Sequence, residues 1–125
     1  MGRAAGMLVI TPKQYEALQA YALAAFEPIA LEHLRTELAD LTEDLPDAVL
    51  LERIRVCGRR AMDLGLETHE EMLGFIDAGL LLDEPDFDRA EGYGWAQAIL
   101  ANPDLSPATK AERLLDIAFE IHQTT

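Results

Sequence analysis

Five carboxylates fall close together in the stretch D-E-P-D-F-D-R-A-E: Asp83, Glu84, Asp86, Asp88 and Glu91. Clustered carboxylate oxygens are the ligands of hard cations such as calcium. The EF-hand spacing is not met. With Asp86 at loop position one, Asp88 fits position three, but Ala90 and Glu91 stand where a ligand and a sharp-turn glycine are required. The run reads instead as helix-capping and solvent-facing, or as an acidic edge toward a partner. His69-Glu70-Glu71 lacks the second histidine of H-E-x-x-H, and His33 and His122 have no companion at ligand spacing, so neither a metal nor a cofactor site is expected. Ser106, the only serine, precedes Pro107 and reads as a helix N-cap and not as a nucleophile. Carboxylates are so numerous that no single acid–base dyad stands out. No catalytic residue is assigned, and the chain is expected not to be an enzyme.

Positive charge is concentrated in Arg53, Arg55, Arg59 and Arg60. At 100° per residue, Arg53 and Arg60 flank the apolar stripe of their helix while Arg55 and Arg59 lie opposite it. That split suits local ion pairs with Glu52 or Asp63, and an exposed Arg55/Arg59 pair, better than a phosphate cradle. The aromatics Phe87, Tyr93 and Trp95 follow the acidic run. Trp95 is expected to plug the end of a helical core, and Tyr93, set between Gly92 and Gly94, to project outward from a tightly turning loop. The candidate partner-binding residues are therefore Asp86, Asp88 and Tyr93 on that loop, with Arg55 and Arg59.

The elements that must position these residues are helices. The chain has 125 residues, half of them apolar, which suits one domain able to bury its own core. Leu, Ala and Glu are abundant and β-branched residues few, so the expected class is all-α, a compact single-domain bundle of five to six helices. Residues 1–10 read as an N-terminal extension with a short extended start at Leu8 to Ile10, and 11–125 as the helical domain. Thr11, Pro12 and Gln14 form a capping box with proline at N1. The series Tyr15, Leu18, Ala22, Phe26, Ile29, then Leu31, Leu34, Leu38, Leu41, changes phase near Pro28, so this long helix is expected to kink or break between Ala24 and Pro28. A second helix spans Pro46 to Leu64 with Leu50, Ile54, Cys57, Ala61 and Leu64 as its buried stripe, ending at Gly65. Thr68 and Glu71 open a third, with Met72, Phe75, Ile76, Gly79 and Leu80 inward. A short helix covers Trp95 to Ala101. The last begins at Ser106-Pro107 and buries Ala111, Leu114, Leu115, Ala118 and Ile121.

A net charge of −13 opposes binding to nucleic acid and to anionic membranes, and favours a basic or weakly charged protein partner. One cysteine excludes an internal disulfide, and no apolar run has transmembrane length, so a cytoplasmic protein is expected.

The C-terminal half carries Gly65-Leu66-Glu67-Thr68, Pro85-Asp86-Phe87-Asp88, Trp95-Ala96 with Ile99-Leu100, and Pro103-Asp104-Leu105-Ser106 with Lys110 and Arg113-Leu114. In order and spacing these resemble small helical accessory proteins encoded beside bacterial type VI secretion effectors and their adaptor chaperones. Gly94 stands where that pattern has a proline, and Glu84 where it has a glycine. The N-terminal half is similar only in helix layout. The resemblance implies a non-catalytic co-chaperone or adaptor, cytoplasmic in a bacterium, that binds an effector or its adaptor chaperone and assists loading. The alternatives are an immunity protein neutralising a cognate toxin, or a small regulatory or enzymatic helical domain.

Overall fold

A computed structural model describes residues 11–124. Among them the chain is all-α, with six helices: α1 Pro12–Glu37, α2 Ala39–Thr42, α3 Asp47–Asp63, α4 His69–Leu81, α5 Gly94–Ala101 and α6 Pro107–Thr124. The expected extended start at Leu8 to Ile10 lies outside the described residues.

The core is built around α4. Its sequence L-G-F-I-D-A-G-L-L is apolar nearly all round, and nine of its thirteen residues are buried. It packs most extensively against α6 and then α3, while α1 lies mainly on α3. Gly74 lets α6 approach closely, since a Cβ there would lie 3.3 Å from that of Ala111. The α3 stripe falls as expected: Leu50, Ile54, Cys57 and Ala61 are buried, and only Leu64, at the end, is exposed. Burial pushes the Cys57 thiol pKa up, in keeping with an inert core thiol.

Four helix ends follow from local chemistry. Thr11 with Gln14 and Thr68 with Glu71 both form complete capping boxes. Helix α3 closes with a Schellman motif: Gly65 N–H donates to the Met62 carbonyl at 3.0 Å, and Leu66 N–H to Ala61 at 2.8 Å. Gly65 takes φ +87°, a region that glycine enters without a Cβ clash. Helix α4 ends the same way, with Asp83 N–H donating to Leu80 and Glu84 N–H to Gly79. Here the left-handed position is held by Asp83 at φ 53°. Aspartate tolerates that region at a cost that glycine avoids. Asp83→Gly is therefore expected to raise the unfolding free energy by about 0.5–1 kcal/mol, read as a higher urea midpoint. An unchanged or lower midpoint would refute the assigned strain.

Helix α1 shows no break between Ala24 and Pro28. It runs unbroken through Pro28, and its buried residues, Gln19, Leu23, Phe26, Ala30 and Leu34, keep one face on both sides of the proline. Pro28 and Ala24 are exposed. The carbonyl that loses its amide partner therefore faces water, which explains why the helix need not end there. The first half of the expected inward series is one strip out of register, since Tyr15, Leu18, Ala22 and Ile29 face solvent and only Phe26 is buried; in the second half Leu34 is buried, and Leu31, Leu38 and Leu41 pack partly against the core as expected. In the last turn of α1, Arg35 ties the turn into α3. Its guanidinium donates to the carbonyls of Thr42 and of Leu45, the latter at 2.6 Å, and to Asp47 Oδ1 at 2.6 Å.

Candidate protein-binding surface

The loop from Asp83 to Tyr93 is held from beneath. Phe87 is fully buried, its ring 4.9 Å from that of Phe75. Arg60, reaching from α3, clamps the segment around it. Its Nε and Nη2 donate to the two oxygens of Asp88 at 3.1 and 2.7 Å, and Nη2 also donates to the Pro85 carbonyl. Nη1 lies 3.1 Å from Asp86 Oδ1, an ion-pair contact without hydrogen-bond alignment. Burial disfavours the Arg60 charge, but the bonded Asp88 outweighs it and the net pKa is raised.

This geometry revises the loop's candidate residues. Asp88, at 8% side-chain exposure, is consumed by Arg60 and cannot serve as a partner contact in this conformation. Asp86 keeps half its side chain in solvent and also lies 3.6 Å from Arg89. Tyr93 does not project freely: it is partly buried against the core, with its ring 6.5 Å from Trp95. Trp95 is likewise only partly buried, so the residue that plugs the core is Phe87. Gly92 at φ +93° makes the turn, and Gln97 Nε2 fastens it by donating to the Ala90 carbonyl at 3.0 Å.

Arg55 and Arg59 form a second, separate set at the α1 edge of α3. Arg55 forks onto Glu27 at 3.0 and 3.2 Å and approaches Glu52 at 3.7 Å. Arg59 lies 3.9 Å from Asp63 and remains half exposed. The local pairing with Glu52 and Asp63 is as the spacing predicts; the cross-helix bond to Glu27 is an addition. With Ala20, Leu23 and Val56 these residues line a shallow depression. Arg55 and Arg59 pair with Glu27, Glu52 and Asp63, whereas Asp86 and Asp88 pair with Arg60, so the five candidates make two patches and not one.

A buried pair escaped sequence reasoning. His33 Nε2 lies 2.7 Å from Asp77 Oδ2, linking α1 to α4, with Asp77 only 9% exposed and its other oxygen without a hydrogen-bond partner. The signal was available: an aspartate within G-F-I-D-A-G-L needs a partner if that run is core. Burial raises the Asp77 pKa, and the His33 hydrogen bond opposes the rise only in part. The folded state therefore keeps this proton at pH values where the unfolded chain has released it. Stability from Asp77 is complete below the ordinary aspartate range of about 3.9, and is lost as pH rises from there through the raised folded value. Asp77→Asn should flatten that decline. Urea midpoints of both proteins across the acid range test this, and parallel curves would count against it.

Among the described residues no group of three or more His, Cys, Asp or Glu side chains is placed to hold a metal ion, and no helix is long and apolar enough to cross a membrane. No family model, curated protein or solved structure matches this chain.

Proposed function

We propose that this protein is a non-catalytic accessory, a co-chaperone or adaptor that binds a type VI secretion effector or its adaptor chaperone in the bacterial cytoplasm and assists loading. The observation that carries the reading is the ordered residue pattern from Gly65 to Leu114, which resembles accessory proteins encoded beside such effectors. The acidic charge and the exposed apolar residues of α1 are consistent with a protein partner of opposite charge.

The test is co-purification from the native host with a tagged chain, followed by a toxicity assay. An adaptor is recovered with the effector or chaperone and leaves toxin activity intact, and its deletion reduces delivery without making the producing cell self-sensitive. Inhibition of the toxin together with self-sensitivity of the deletion strain would assign the immunity role instead. Turnover of a substrate that a single cleft substitution abolishes would overturn both.

A further inference from the structure

Residues 17–26 of α1, A-L-Q-A-Y-A-L-A-A-F, carry no charged side chain in a protein of net charge −13. One face of this run is buried against the bundle; the rest meets solvent. On the solvent side Tyr15, Leu18, Ala22, Ala25 and Ile29 recur at steps of three and four, the register by which one helix seats against another. The large members are open: Tyr15 is 48% exposed, Leu18 56% and Ile29 45%, with Tyr21 beside them at 69%. Small alanines at the middle of the strip allow a close backbone approach. A solvated helix of a soluble protein ordinarily puts charge on its outer face, so an apolar strip here calls for a partner.

Charge selects the occupant. The same register continues to Glu32, and Asp40 follows just past the end of α1; both are exposed and ion-paired to nothing among the described residues. Of the cations on α1, Lys13 falls about half a turn round the helix from the strip, and Arg35, about a third of a turn away, is held by the Leu45 carbonyl and Asp47. A second copy would bring a further net charge of −13 against this face. We infer that the outer strip of α1 is the docking surface for an amphipathic helix of a partner protein, with small and aliphatic residues facing Leu18 to Ile29 and basic residues over Glu32 and Asp40. This rests on the protein-binding reading above and gives it a site and a partner chemistry.

The probe is a pair of blocked amphipathic peptides about four helical turns long, identical on a Leu/Ala face and flanked by Lys in one and Glu in the other. Fluorescence anisotropy against the full chain should show binding of the Lys-flanked peptide only. Leu18→Glu with Ile29→Glu should weaken that binding about tenfold or more. The sign decides the cause: mere attraction of a basic peptide to an acidic protein would strengthen when two carboxylates are added. Both positions are exposed, so circular dichroism should be unchanged; if the double variant fails to fold, Ala22→Glu gives the same readout. Unchanged or tighter binding, equal binding of the two peptides, or a native dimer that the substitutions dissolve would each overturn the inference. If the tagged chain still captures an effector with the strip altered, the site is wrong and the adaptor reading stands; if no form captures one, the adaptor reading fails whatever the peptides do.

Discussion

Replacing Arg60 by alanine is expected to lower the unfolding free energy by about 3–5 kcal/mol, a fall in Tm on the order of 10 °C. Arg60 and Asp88 are both largely out of water, at 14% and 8% side-chain exposure. Removing the guanidinium leaves a carboxylate in a poorly hydrated place with no cation, and also releases the Pro85 carbonyl that Arg60 holds. The loss comes from that orphaned charge and not from the pair's attraction as such, because an ion pair gains little net once its desolvation is counted. Arg60→Met with Asp88→Leu should therefore recover most of the stability. Arg60→Lys should not, since an ammonium cannot span both Asp88 oxygens and reach Asp86 as well. The neighbouring Arg59→Ala serves as control: its 3.9 Å contact with Asp63 is exposed, so it should move stability by no more than about 0.5 kcal/mol. Urea unfolding of the four proteins gives the comparison. A loss for Arg60→Ala no larger than that for Arg59→Ala would refute the clamp.

The contrast between these adjacent arginines marks where sequence reading stops. Periodicity placed Arg60 beside the apolar stripe and Arg59 away from it, which is correct, but it could not say what stood opposite. In sequence Asp86 and Asp88 read as an acidic edge because their partner lies a whole helix back in the chain. Helix ends were legible because their chemistry is local: Thr11, Thr68, Gly65 and Ser106 each act within a few residues. The α3 stripe was legible for the same reason, since one face is apolar and the other charged. On α1 the uncharged run A-L-Q-A-Y-A-L-A-A-F offers two adjacent apolar faces, and alanine does not choose between them. Gln19 lies on the buried side and Leu18 on the open side, the reverse of what hydropathy predicts. That inversion leaves Tyr15, Leu18 and Ile29, expected in the core, exposed on the strip proposed above as a docking surface.

Phe87→Ala is expected to cost about 3–5 kcal/mol, and Trp95→Ala only about 2 kcal/mol, although tryptophan has the larger side chain. Phe87 is fully enclosed, stacked at a tilt of 40° on Phe75, and packed against Gly79, where a Cβ would sit 3.6 Å from its ring. Its truncation opens a cavity that neighbouring helices cannot readily fill, and cavity volume adds to the lost transfer energy. Trp95 is only partly covered, so part of its surface is wet before and after substitution. The two changes also differ in reach. Phe87 stands between Asp86 and Asp88, so its loss should loosen the Arg60 clamp and reduce the coupling between Arg60 and Asp88 in a double-mutant cycle, whereas Trp95→Ala should leave that coupling intact. Larger destabilisation by Trp95→Ala, or an Arg60–Asp88 coupling untouched by Phe87→Ala, would mean that the loop is organised by the tryptophan end and not by the phenylalanine beneath it.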